Sequence, residues 1–112
     1  MCGIAGFTGK NYHGLLDKFL NSILYRGPDE NGKSFIENEI SLCNSRLSII
    51  DIKSGKQPMK TKNAHIVFNG EIYNYLELKK ELEDEGYKFN TESDTEVILA
   101  SYEHYGENFV SK

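Results

Sequence analysis

Cysteine is the second residue of the chain, and the segment Gly3-Ile4-Ala5-Gly6-Phe7 follows it. Methionine aminopeptidases remove an initiator methionine when the next side chain is small, so processing would leave Cys2 with a free α-amino group beside its own thiol. A thiol has an ordinary pKa of about 8.5 and a terminal amine one of about 7.7–8.0, so a proton can pass between them near neutral pH. Because an N-terminal amine can activate a nucleophile, Cys2 is the first candidate for covalent catalysis. The alternative is that Cys2 follows the start site by chance, and this short motif alone does not decide between the two.

The composition describes one small domain and argues against nucleic-acid and membrane partners. The chain has 112 residues, of which 38% are hydrophobic and 27% charged, and 13 basic and 17 acidic residues give a net charge of −4. That length suits a single domain. The basic residues are scattered rather than clustered, unlike those of a nucleic-acid-binding surface. No apolar run approaches the roughly 20 residues that a membrane helix requires.

The cysteines and histidines indicate reduced thiols and no metal site. The start of the chain has no secretory pattern and the chain has only two cysteines, so we expect a cytoplasmic protein. A disulfide between Cys2 and Cys43 would consume the candidate nucleophile, so we predict none and expect Cys43 to be a small core residue. His13, His65 and His104 are far apart and show no ligand spacing with the cysteines.

The candidate nucleophile needs elements to position it, and the apolar pattern of the first half predicts strands around one helix. Strands are predicted over 4–7, over 35–37 and 40–43 as a hairpin around Asn38, and over 66–68. A helix is predicted over about 13–25, and it ends before Pro28, which forces the preceding residue out of helical geometry. A polar loop over 26–33 follows, and residues 47–52 suggest a strand or a bent segment.

Two further helices are predicted in the second half. Asn74 could cap the first, and Gly86 would end it. Ser93-Asp94-Thr95-Glu96 fits the capping box, in which the first and fourth side chains bind each other's backbone N–H groups, so a helix should run from Ser93 to about Tyr105. The order of strand, helix, strands, helix and helix predicts an α+β layered fold. Because two helices end the chain where a sheet would normally gain strands, we expect a fragment of a larger domain.

Six segments, in order and spread over nearly the whole chain, resemble the glutaminase (class II glutamine amidotransferase) domain of glutamine-hydrolysing asparagine synthetases. They are Met1-Cys2-Gly3-Ile4-Ala5-Gly6, Arg26-Gly27-Pro28-Asp29 with Gly32, Arg46-Leu47-Ser48-Ile49-Ile50-Asp51, Gln57-Pro58-Met59, Asn69-Gly70-Glu71-Ile72-Tyr73-Asn74 and Ser93-Asp94-Thr95-Glu96-Val97-Ile98-Leu99. One such segment would be a weak match, whereas six in order are a strong one.

The resemblance implies a fold and an activity. The fold would be the αββα layered type of the N-terminal-nucleophile hydrolases, incomplete here, with residues 1–112 forming part of the glutaminase domain. The activity would be hydrolysis of glutamine to glutamate and ammonia, which normally feeds ATP-dependent asparagine synthesis from aspartate. The resemblance implies no cofactor for this fragment, since ATP and Mg belong to the absent synthetase domain, which is normally in the same chain. A homo-oligomer is left open.

The resemblance also implies roles for single residues. Cys2 would attack the side-chain amide of glutamine and form a glutamyl thioester, while the Asn69 side chain and the Gly70 N–H stabilise the oxyanion. At the other end of the substrate, Arg46 would bind the α-carboxylate through two parallel hydrogen bonds. The remaining substrate-binding candidates are Asp94 with Glu71 nearby for the α-ammonium group, and backbone groups around Ile49 and Ile50.

Each of these residues also has a structural interpretation. Asn69-Gly70 after an apolar run is typical of a hairpin turn, Arg46 could be a surface charge, and Asp94 could serve in the first turn of a helix. Arg26 and Asp29 could line the pocket or form an ion pair within their loop. Two other functions stay open at this point: a truncated, catalytically idle domain that assembles or binds a partner, and the glutaminase half of a sugar amidotransferase.

Overall fold

The computed structural model describes residues 2–47 and 55–112, and within them strands and helices form an α+β fold, as predicted. Three antiparallel strands make the larger sheet: β1 (Gly3–Thr8), β2 (Glu30–Ile36) and β3 (Ile40–Arg46). β3 lies in the centre, in the order β1-β3-β2. The predicted segment over 47–52 and the candidates Ile49 and Ile50 lie outside the described residues, apart from Leu47.

The hairpin around Asn38 is confirmed, but its strands are longer than predicted. Glu37 and Asn38 adopt positive φ angles of 49° and 61°, which suits a tight turn between twisted strands. The predicted polar loop over 26–33 is wrong in its second half, because β2 already begins at Glu30, which pairs with Arg46. Polar side chains can continue such a strand because the ladder with β3 satisfies their backbone groups.

One helix covers one face of this sheet. α1 spans Leu15–Ile23 and is flanked by short 3-10 turns at Tyr12–Gly14 and Leu24–Arg26, so the predicted helix over 13–25 is confirmed in its centre. Leu16 and Leu20 of α1 pack against Cys43 of β3, which is fully buried, as predicted. The Cys43 thiol is free, and burial raises its pKa, although the charge of Lys33 acts in the opposite direction.

The second half of the chain forms a small hairpin and two helices. The hairpin strands are β4 (Met59–Lys60) and β5 (His65–Ile66), and the helices are α2 (Tyr75–Asp84) and α3 (Asp94–Tyr105). Leu82, Val97 and Ala100 form the core between the helices. The predicted strand over 66–68 is wrong beyond Ile66, because the Phe68 N–H donates to the Gln57 side chain (2.6 Å) instead of to a neighbouring strand.

Both predicted helix starts are confirmed in place, but neither has the predicted side-chain geometry in full. Asn74 precedes α2, yet its side chain donates to the carbonyl of Lys112 rather than capping the helix. Ser93 caps α3 by accepting a hydrogen bond from the Thr95 N–H. The reciprocal half of the capping box is wrong, because Glu96 accepts from the backbone of Asn90 and Thr91 instead.

The second half packs on the sheet face opposite α1. Ser34 of β2 contacts His65 of β5 (Oγ to Nδ1, 2.5 Å), and a side chain at Gly32 would meet Pro58 at 2.7 Å. Because side chains alternate along a strand and Cys43 faces α1, Arg46 of β3 points to the other face. Arg46 therefore lies on the face that the second half of the chain covers.

Gly27 is a position where the fold demands the absence of a side chain. It is buried, and a Cβ there would lie 2.6 Å from the Leu47 nitrogen and 2.7 Å from the Arg46 Cα. We expect Gly27→Ala to lower the free energy of unfolding by about 3 kcal/mol, because the overlapping atoms belong to backbone that cannot step aside.

Urea unfolding followed by circular dichroism measures this effect, and Gly86→Ala is the matched control. Gly86 has a φ of +96° but open space around its Cα, so its replacement should cost only about 1–2 kcal/mol of backbone strain. Equal losses at the two positions would show that the close approach at Gly27 is unimportant.

Candidate functional site

Cys2 immediately precedes β1, and extending the strand register by one residue sets it opposite Arg46. β1 pairs Gly3 with Ser45, so one further step along the ladder sets Cys2 opposite Arg46. Cys2 is half-buried and its thiol is free. The backbone of Cys2 is held as well, because the Arg26 Nε donates to the Cys2 carbonyl (3.1 Å).

The contact of Arg26 adds a role that the sequence did not indicate. Its guanidinium anchors the residue that carries the candidate nucleophile, while lining of the pocket and pairing within its own loop stay predictions. No local pattern could have indicated this bond, since 24 positions separate the two residues in the chain.

Arg46 ends β3 in a partly buried ion pair. Its Nη1 lies 3.2 Å from the Glu30 Oε2, and the two side chains are 14% and 26% exposed. Lys56 also approaches Glu30, at 3.9 Å, but is 75% exposed. Sequence reasoning missed Glu30, whose position opposite Arg46 follows only from the β2–β3 register. The pair restrains the guanidinium, because a hydrogen bond between two charged and partly buried groups favours one orientation.

Arg46 also lies close to the start of α3. Gly55 lies between the two, since a Cβ built there would be 3.5 Å from the Arg46 Nη2 and 3.1 Å from the Ser93 Oγ. Ser93 immediately precedes Asp94, the first residue of α3. The structure therefore brings the arginine and the neighbourhood of the aspartate together, although 48 positions in the printed sequence separate them.

Asp94 connects α3 to the segment that contains the other candidates. Its Oδ2 accepts a hydrogen bond from the Ile72 N–H (3.1 Å), and Ile72 directly follows the exposed run Asn69-Gly70-Glu71. This run leads from β5 into α2 rather than into a pairing strand, so the hairpin-turn interpretation of Asn69-Gly70 is wrong. The contact between Ile72 and Asp94 therefore links the residue after this run to the start of α3.

Two cavities are lined by other residues of the chain. One of about 290 Å³ is lined by residues that include Gly55, Thr91 and Glu96, and one of about 630 Å³ lies between the β2–β3 turn, β5 and α3. Neither is lined by Cys2, Arg46 or Asp94 among the residues that the structure describes. Over the same residues, no group of three or more histidine, cysteine or acidic side chains could hold a metal ion. None of the helices in the described ranges has the length and apolar content that a bilayer crossing requires.

Comparison with known proteins decides the family. The whole chain, residues 1–112, matches the family described as the glutamine amidotransferase domain. This chain belongs to that family. The resemblance drawn from the six segments is therefore confirmed, as is the relation to asparagine synthetases. Asparagine synthetase [glutamine-hydrolyzing] 1 of Bacillus subtilis is 45% identical over 121 residues, which cover 100% of this chain and 19% of the relative.

Two other relatives match this amidotransferase domain over similar shares of the two chains. A probable glutamine-hydrolysing asparagine synthetase of Schizosaccharomyces pombe is 40% identical over 95% of this chain and 20% of its own length. Amidase chry2 of Gibberella zeae is 39% identical over 99% of this chain and 19% of its own length. The chain thus spans about a fifth of the length of these relatives.

Proposed function

We propose that this amidotransferase domain hydrolyses glutamine to glutamate and ammonia, with Cys2 as the nucleophile. The main support is that three sequence-distant groups lie near one another: Cys2 precedes Gly3, which pairs with the neighbour of Arg46, and Arg46 lies beside the start of α3, which begins at Asp94. A thiol on one side and a cation and an anion on the other form a set that suits a free amino acid with an amide side chain. The printed names of the relatives point to the same substrate.

The reaction follows from the chemistry of the N-terminal residue. The Cys2 sulfur attacks the side-chain carbonyl carbon of glutamine while the α-amino group takes up the thiol proton. The Asn69 side-chain amide and the Gly70 N–H stabilise the negative oxygen of the tetrahedral intermediate. Collapse of the intermediate breaks the C–N bond, and the amine returns the proton to the leaving ammonia. Water then cleaves the γ-glutamyl thioester, which yields glutamate and restores the thiol.

The two ends of the substrate are held by opposite charges. Arg46 binds the α-carboxylate, and its pair with Glu30 keeps the guanidinium in one orientation before the substrate arrives. Asp94 binds the α-ammonium group with Glu71 nearby, while the hydrogen bond to the Ile72 N–H fixes the carboxylate of Asp94. Backbone groups of Ile49 and Ile50 complete the proposed set.

The layering supports an αββα fold of the N-terminal-nucleophile hydrolase type. α1 covers one face of the three-stranded sheet, and the β4–β5 hairpin contacts the other face through Ser34 and His65. α2 and α3 follow as the outermost layer on that side, packed through Leu82, Val97 and Ala100. We propose that residues 1–112 are part of such a domain.

In the whole protein we propose that the ammonia feeds ATP-dependent asparagine synthesis from aspartate, in a synthetase domain that holds the ATP and Mg. The asparagine synthetases among the relatives support this assignment. Neither the idle-domain reading nor the sugar amidotransferase gains support from the contacts described above. The cytoplasmic location and the homo-oligomer remain predictions.

A glutamine-like diazoketone tests the proposal directly. Incubation of the folded, Met1-free protein with this reagent should add one adduct mass to the N-terminal peptide in a mass spectrum, because the bound diazoketone alkylates the Cys2 sulfur and loses dinitrogen. Cys43 should stay unmodified, since it is fully buried and its thiol pKa is raised by that burial. A folded, processed protein whose Cys2 remains unlabelled, or is labelled no faster than by a simple alkylating agent, would contradict the proposal.

A further inference from the structure

Glu96 is an ionisable side chain that the reaction above does not use, yet it is only 5% exposed. Its carboxylate accepts three hydrogen bonds, from the Asn90 N–H (2.8 Å), the Thr91 N–H (2.7 Å) and the Thr91 hydroxyl (2.6 Å). Burial of a carboxylate is unfavourable unless such bonds compensate for lost water, and bonds to an ionised group are roughly twice as strong as neutral ones. Glu96 therefore ties the segment before α3 firmly to the helix.

The Thr91 hydroxyl links Glu96 to Ser93 through two hydrogen bonds. It donates to the Glu96 Oε2 and accepts from the Ser93 N–H at 3.1 Å. Ser93 in turn caps α3 through its bond to the Thr95 N–H, at 3.2 Å. A continuous series of bonds thus runs from Glu96 through Thr91 to the residue that precedes Asp94.

The far end of the series lies at the proposed substrate site. Asp94 holds the Ile72 N–H, and Ser93 shares the space around Gly55 with the Arg46 guanidinium. A rotation of the first turn of α3 would move the Asp94 carboxylate away from the proposed ammonium position. The geometry of a charged binding group tolerates only about 0.5 Å of looseness, so support from outside the site has functional weight.

We propose that Glu96 is a positioning residue for the binding of the substrate's α-ammonium group. It acts through Thr91 and Ser93 to hold Asp94 in place and does not touch glutamine itself. This inference rests on the proposed function, because it needs Asp94 to be the ammonium ligand. It predicts that the loss of Glu96 weakens recognition of the amino end of the substrate and leaves the reactivity of the thiol intact.

The test compares two alkylating agents on the Cys2 of the Glu96→Gln variant. The glutamine-like diazoketone carries an α-ammonium group, whereas iodoacetamide does not, so only the first depends on Asp94. In Glu96→Gln the amide NH₂ faces a backbone donor, and we expect the second-order rate of diazoketone labelling to fall by about 10- to 100-fold. The iodoacetamide rate should change less than about 2-fold, because the cysteine and its amine lie outside the series of bonds.

Glu92→Gln is the matched control. Glu92 precedes the same helix and loses the same charge, but it is 81% exposed and pairs only with Lys79 among the described contacts. Both labelling rates should stay within about 2-fold of the wild type. If Glu96→Gln slows labelling by both reagents equally, or by neither, the inference is wrong. The proposed function would still stand in that case, because it depends on the labelling of the wild type. Failure of the wild type to prefer the diazoketone would instead overturn the proposed function, and the inference with it.

Thr91 supplies a second pair of variants in case Glu96→Gln does not fold. Thr91→Val keeps the shape but removes the hydroxyl, and we expect diazoketone labelling to slow by about 5- to 10-fold. Thr91→Ser keeps the hydroxyl and should restore the rate to within about 2-fold of the wild type. If valine and serine at this position behave alike, the hydroxyl does not transmit the restraint and the inference is wrong.

Discussion

Replacing Cys2 by alanine is expected to lower kcat for glutamine hydrolysis by about 10⁴-fold or more, the size of loss seen when a covalent nucleophile is removed. The physical reason is that no other group at the site can form the thioester. In the proposed site, Arg46 and Asp94 would still hold the substrate, so KM should change far less than kcat. Release of ammonia, followed in a coupled assay with glutamine varied, separates the two parameters.

Cys43→Ala is the matched control, because it removes the other thiol of the chain. Cys43 packs between α1 and β3, on the face of the sheet opposite the proposed site. Its replacement leaves a small cavity and should lower the free energy of unfolding by about 1 kcal/mol, with kcat within about 2-fold of the wild type. Retention of hydrolysis by the Cys2 variant, or its loss in the Cys43 variant alone, would place the nucleophile elsewhere.

Arg46→Lys is expected to raise KM for glutamine by about 100-fold, because an ammonium cannot reproduce the two parallel bonds that a guanidinium makes to a carboxylate. The positive charge is kept, so part of the attraction to Glu30 survives and the fold should be little affected. kcat should fall less than about 10-fold, since the proposed contact of Arg46 with the α-carboxylate would be the same in the ground state and the transition state. Initial rates over a wide range of glutamine concentrations measure both parameters.

Lys56→Gln provides the control for the electrostatic contribution. Lys56 is also close to Glu30 and also cationic, but it is 75% exposed and lies 3.9 Å from the carboxylate. Its removal should change KM by less than about 2-fold, because an exposed pair at this distance contributes little. If Lys56→Gln raises KM as much as Arg46→Lys does, the effect comes from general positive charge and not from a specific contact of Arg46.

The order and type of the helices and of the main strands could be predicted from local patterns. Leu16 and Leu20 recur at helical spacing in α1, and Ser93 offers a short side chain where α3 begins. One error arose where a distant partner decides the structure, because β3 supplies the hydrogen bonds of β2, which begins three residues before the predicted loop ends. Another arose from local competition, because Glu96 binds the backbone of Asn90 and Thr91 instead of completing its capping box.

The residues of the candidate site could be predicted from the sequence, but the residues that hold them in place could not. Cys2, Arg46 and Asp94 stand in short segments that match a family, so a reader of the sequence can select them. Glu30 lies outside these segments, and Arg26 lies in one of them but was not predicted to bind Cys2. Their contacts with Arg46 and with the Cys2 carbonyl depend on which strands are neighbours and on the register between them.

The central place of β3 has a consequence for how this domain can change in evolution. Both β1, which begins directly after Cys2, and β2, which begins at Glu30, take their alignment from β3, and both begin at the end of β3 where Arg46 lies. Deletion of a single residue within β3 would turn the arginine to the opposite face and detach it from both neighbours at once. Length variation among descendants should therefore accumulate in the turn at Glu37 and Asn38, where added residues leave the aligned ends untouched.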